Sequence, residues 1–210
     1  MPQHHPHHAD PGLTPVPVAL LFPPTTTPHG ALTQPDSSGL TARTAGLLVA
    51  TYTRAGDRII DLDANPTLAR AAAALERRIV TGNAGTVRLI CARLPRLASC
   101  DPTLPELVEW MREQRDALQP GGFLLTAVSA EGPDGGYIDR ATTVITAART
   151  AGLTYHQHLI AVLAPLPEDE SLPDERAAAG CRVPHLPGGR YARVHSDLFV
   201  FATIAGGPDA

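Results

Sequence analysis

Residues 44–80, TAGLLVATYTRAGDRIIDLDANPTLARAAAALERRIV, run through an apolar segment, a polar turn, a β-branched run and an alanine-rich segment without a break. Thr44–Tyr52 predicts a helix, and Thr53–Asp57, with Gly56, predicts a turn. Arg58–Leu62 predicts a short buried strand that ends on an acid, Asp61. Asp63–Thr67 predicts a tight loop around the Asn65-Pro66 pair, and Leu68–Arg78 a helix of strong helix formers. A strand that ends on an acid and passes through a short loop into a helix is the ligand corner of open α/β sheets. The first helical N–H groups are free there, and the strand ends open into a crevice.

The same alternation continues. Arg78–Thr81 and Val87–Ala92 predict strands, and Leu104–Leu118 an amphipathic helix with apolar Leu107, Val108, Met111 and Leu118. Pro105 opens that helix, and the turn Gln119-Pro120-Gly121-Gly122 is expected to stop it. Phe123–Val128 predicts a strand, Asp139–Ala151 a helix closed by Gly152, and Leu153–Ala164 a long strand. Pro165–Gly189 reads as a long loop and Arg193–Ile204 as a closing strand. Strands separated by helices predict βαβ units and a mostly parallel sheet, with helices on both faces and an antiparallel C-terminal hairpin. The domain is expected over residues 41–204, after an extended His- and Pro-rich arm at 1–40 and before a tail at 205–210. Within the arm, Val16–Phe22 is apolar enough to dock as an extra strand or lid.

Composition narrows the function classes. The formal net charge of −4 argues against nucleic-acid binding through the whole surface, although a local basic patch is compatible with it. All of the basic residues are arginine. Cys91, Cys100 and Cys181 have no motif spacing, which predicts reduced thiols and a cytoplasmic location. No apolar run approaches the roughly 20 residues of a membrane helix, so no membrane partner is expected. His4, His5, His7 and His8 lack an accompanying Cys or carboxylate cage and read as a solvated tail; no metal is expected. His156, His158 and His195 can meet if their strands pair, forming a metal or base site; otherwise they alternate out into solvent.

The segment YTRAGDRIIDLDANPTL at Tyr52–Leu68, followed by AAALERR at Ala72–Arg78, resembles the class I S-adenosylmethionine-dependent methyltransferases. It is most similar to DNA methylases that modify exocyclic amino groups and to TRM-type RNA methylases. Their pattern runs Y-T-x-P-G-D-x-V-L-D-P-F-x-G-x-G-T-T and continues into an alanine-rich helix. LQPGGFLL at Leu118–Leu125 and VHSDLFVF at Val194–Phe201 resemble later parts of the family. The resemblance implies a Rossmann-like sheet and S-adenosylmethionine held by Asp61, Asp63, Ala64, Asn65 and Thr67, with Asn83 near the ribose. It also implies a nucleic-acid or small-molecule methyl acceptor.

The chain departs from that pattern where chemistry would sit. The family's loop glycines fall at Asn65 and Thr67, and Pro66 removes an N–H donor. The ribose-binding acid is replaced by the amide of Asn83. The D/N/S-P-P-Y/F/W signature falls at Ile90–Arg96, where Pro95 alone matches, Ala92 takes the place of the acid and no aromatic follows. No catalytic residue is carried over. Two functions follow as expectations: a methyltransferase with an unassigned acceptor, or a catalytically inactive relative that serves as a binding or regulatory module.

Overall fold

The computed structural model describes residues 16–21, 40–81, 87–96, 101–130, 138–162, 185–186, 190–191 and 195–204. In chain order the elements are β1 (Val18–Leu21), α1 (Ala42–Tyr52), β2 (Arg58–Asp61), α2 (Pro66–Ala74), β3 (Arg78–Val80) and β4 (Val87–Leu94). They continue with α3 (Leu104–Ala117), β5 (Leu118–Val128), α4 (Ala141–Thr150), β6 (Thr154–Val162), β7 (His185–Leu186), β8 (Arg190–Tyr191) and β9 (His195–Ala202). One seven-stranded sheet has the order β1-β6-β9-β5-β4-β2-β3, and β7 pairs with β8 separately. All neighbours in the large sheet are parallel except β9, which is antiparallel to both β5 and β6. This is the Rossmann-like sheet, mostly parallel with an antiparallel C-terminal pair, that the sequence predicts.

Two apolar layers enclose it. On one face α1 and α2 bring Leu48, Val49, Tyr52, Leu68 and Ala72 onto Ile59, Leu89, Cys91, Leu125 and Val200. On the other, α3 and α4 bring Leu107, Val108, Met111, Val144 and Ala147 onto Ile60, Ile90, Leu124, Phe199 and Phe201. The central strands β4 and β5 are therefore buried on both sides, which is why they read as apolar runs rather than as alternation. Helix starts follow side-chain capping. Thr41 accepts the N–H of Thr44 at 3.1 Å ahead of α1, and Glu106 accepts that of Thr103 at 2.8 Å ahead of α3.

Three sequence expectations change or sharpen. The alanine-rich helix ends at Ala74, short of Arg78, in a Schellman turn. Glu76 adopts a left-handed φ of 62°, and Arg77 N–H donates to Ala72 O at 2.8 Å. That reversal frees Arg78–Val80 to pair in parallel with β2. Secondly, residues 119–122 do not separate helix from strand, because β5 starts at Leu118. The register slips between Val87 and Leu89 as Gly121, at φ 72°, throws out a bulge. Thirdly, the stretch expected to dock as a strand or lid does so as a strand: β1 pairs with β6 at the sheet edge.

The chain passes from β2 outward to β3, then returns to place β4 on the other side of β2. Strand order reverses at that point, and the carboxyl ends of β2 and β4 flank the resulting crevice.

Candidate functional site

Asp61 ends β2 and directs both carboxylate oxygens back onto its own loop. Oδ1 accepts the N–H of Asp63 at 3.1 Å, and Oδ2 accepts that of Asn65 at 2.6 Å. Asn65 is 7% exposed and caps α2, its Oδ1 accepting the N–H groups of Thr67 at 2.8 Å and Leu68 at 3.3 Å. Leu62 N–H joins the sheet at Cys91 O, 3.0 Å away, and Pro66 has no N–H to give. Between Leu62 and Leu68 this leaves, among the described residues, the N–H of Ala64 and nothing more. Ala64 also holds the strained left-handed conformation of the loop, with φ 51°.

The other wall of the crevice supplies a cation. Arg96, two residues beyond β4, places Nη1 2.5 Å from Asp63 Oδ1 and donates through Nη2 to Leu62 O at 2.8 Å. The guanidinium thus spans the mouth of the crevice. Cys91, buried on β4 as the register partner of Asp61, has its thiol pushed up by burial first and then by the charges of Asp61 and Asp63.

This geometry bears directly on the sulfonium nucleoside that the resemblance implies. The methionine carboxylate needs N–H donors from the loop and the helix N-terminus. Here Asp61 and Asn65 accept those donors instead. Asn65, where the family has glycine, has a φ of −74°, open to any residue, so the backbone is not shaped by a glycine requirement. The loop as built does not fit the methionine end of S-adenosylmethionine. Asn83 lies outside the described residues, as do Cys100, Cys181 and the histidines at 4, 5, 7 and 8.

Of the remaining candidates, His158 and His195 do come together. His158 Nε2 is 3.0 Å from Asp197 Oδ1, and His195 Nε2 is 3.6 Å from Asp197 Oδ2. His156 does not join them. It packs on the opposite face of the sheet against Phe123 and Tyr52, with ring centroids 5.3 and 6.5 Å away. Sequence reasoning missed two residues. Arg96 gave no signal because its role needs the loops after β2 and β4 to be neighbours in space. Arg140 is buried at the start of α4; its Nε and Nη2 hold Asp101 at 2.5 and 3.0 Å, and its Nη1 holds Ser129 O at 2.7 Å. The pair borders a cavity of about 120 Å³ lined mainly by Leu94, Pro95, Leu107, Ile138 and Val144.

No family model and no curated protein matches the chain. Among solved structures it is similar to a geranyl diphosphate C-methyltransferase from Streptomyces coelicolor A3(2), at 14% identity and a TM-score of 0.48, covering 84% of this chain and 89% of that one. It is similar also to the CcbJ methyltransferase from Streptomyces caelestis, at 12% identity and 0.47, covering 78% and 90%. A third is the [4+2]-cyclase SpnF, at 17% identity and 0.45, covering 79% and 82%. Likeness at this level assigns no activity.

Proposed function

We propose that this protein is a non-catalytic relative of the class I methyltransferases, descended from the nucleic-acid amino-methylase branch and working as a binding or regulatory module. One observation supports the reading above all others. The N–H donors of Asp63, Asn65, Thr67 and Leu68 in the corner after β2 are satisfied by Asp61 and Asn65, while Arg96 bonds Asp63 and Leu62 across the crevice mouth. A cofactor would have to break this network before gaining contacts of its own: the part-buried bond from Asn65 N–H to the Asp61 carboxylate is worth about 1.5–3 kcal/mol, and the solvent-screened Arg96 contacts less than about 1 kcal/mol. Ala92 in place of the family's acid, inside the buried strand β4, supports it further.

The test is calorimetric titration of the wild-type chain with S-adenosylmethionine and with its demethylated product. The expected result is no saturable heat from either. Stoichiometric heat that disappears in Asp61→Ala would overturn the proposal in favour of the competing reading, methyl transfer from S-adenosylmethionine to a nucleic-acid or small-molecule acceptor.

A further inference from the structure

At the amino end of the sheet, opposite the crevice, arginines gather. Arg58 and Arg78 are direct register partners on the parallel strands β2 and β3, which sets their backbones about 4.8 Å apart. Strand alternation puts both on the α3 side. Arg58 lies two residues from Ile60 and Arg78 two from Val80, and both Ile60 and Val80 pack into the layer beneath α3. Arg78 is exposed and Arg58 half-buried. The backbone beneath them is fixed: Gly56 N–H donates to Glu76 O at 2.8 Å, and Arg78 N–H to Asp57 O at 3.0 Å. In the turn before β2, the Asp57 carboxylate accepts the N–H of Arg54 at 2.7 Å.

Six arginines of the fold have named partners. Arg77 bonds Thr53, Arg88 bonds Tyr52 O, and Arg96, Arg112, Arg115 and Arg140 hold carboxylates. Neither Arg58 nor Arg78 has an ion pair or side-chain hydrogen bond among the described residues. Like charges side by side on neighbouring strands destabilise a sheet. A bound anion removes that repulsion, and paired guanidinium groups on rigid strands match phosphate oxygens.

We propose that Arg58 and Arg78 form a phosphate site that grips neighbouring phosphates of a nucleic-acid backbone. Guanidinium contacts to phosphate position a strand without reading its bases, so the site takes charge and not sequence. The inference goes beyond the non-catalytic reading and stands whichever way the cofactor titration falls.

The experiment is fluorescence anisotropy of the full chain with a labelled oligothymidylate across a salt series. Wild type is compared with Arg58→Gln/Arg78→Gln, which keeps the apolar stems, and with Arg43→Gln/Arg70→Gln, which removes exposed arginines from α1 and α2. The corner variant is expected to bind about tenfold more weakly at low salt, with the slope of log affinity against log salt flatter by about 1.4, the value for two phosphate contacts on a single strand. The helix variant is expected to match wild type. Should the corner pair fail to fold, Arg78→Gln alone flattens the slope by about half that amount. No binding by wild type, or equal losses in both variants, would overturn the proposal. Inorganic tripolyphosphate is titrated in parallel. If it binds with the same arginine dependence while the oligonucleotide does not, the ligand is a free oligophosphate and the nucleic-acid assignment falls.

Discussion

Arg96 and Asp63, 33 positions apart in sequence, meet at 2.5 Å across the crevice where strand order reverses. One follows β4 and the other follows β2, so their contact closes a gap that no local element could close. Because both side chains are partly exposed, at 35% and 24%, solvent screens the pair. Arg96→Ala is expected to cost less than about 1 kcal/mol in urea unfolding, while amide exchange across residues 62–65 speeds up severalfold. A loss above about 2 kcal/mol would mean the pair is more deeply desolvated than its exposure implies.

Glu76 occupies the left-handed position that ends α2, a place where glycine is favoured, and adds a negative charge at a helix C-terminus. Glu76→Gly should therefore raise stability by roughly 0.5–1 kcal/mol. Thermal melting of the two proteins checks this, and a lowered midpoint would contradict it.

Tyr52 lies under the sheet with its hydroxyl donating to Gln157 Oε1 at 2.7 Å, and burial pushes its pKa up to about 12 from 10.0. The folded state holds this proton more tightly than the unfolded chain does. Its contribution is complete below pH 10 and is lost as pH rises from there through about 12. Tyr155 is raised too, by burial first and then by the charge of Asp197, so it contributes in the same direction. Urea midpoints measured across this range should fall for wild type and fall less steeply for Tyr52→Phe. Parallel profiles would contradict the assignment.

Arg140 joins the loop before α3 to the start of α4 through Asp101 and Ser129. Arg140→Met removes the fork and leaves Asp101, 38% exposed, to solvent. A cost of about 2–3 kcal/mol is expected. Asp101→Asn, which keeps an acceptor for the guanidinium, should cost less. Equal losses in the two variants would show that the charge of Asp101, and not the shape of the fork, matters.

The sheet was legible because its signals are local. Apolar runs such as VRLICA mark doubly buried strands, and Pro105 marks a helix start. The end of α2 was not, because the periodicity of AAAALERR runs on past Ala74 and the helix stops only where β3 must turn back beside β2. In the candidate site, Asp61 and the loop through Thr67 could be located from sequence. What those residues do could not. Whether Asp61 faces a ligand or its own loop depends on the φ of Ala64 and on Arg96, and neither leaves a mark in the order of residues.

Strand β9, made after both of its neighbours, is the wedge between them. With β9 between β5 and β6, the outer pair β6 and β1 is joined to the rest of the sheet by strand pairing, among the described residues, only through residues 195–202. During synthesis the half of the sheet up to β5 can assemble early, whereas β6 and β1 must wait until β9 has left the ribosome. A nonsense mutation at His195 would therefore cast adrift two strands laid down long before it.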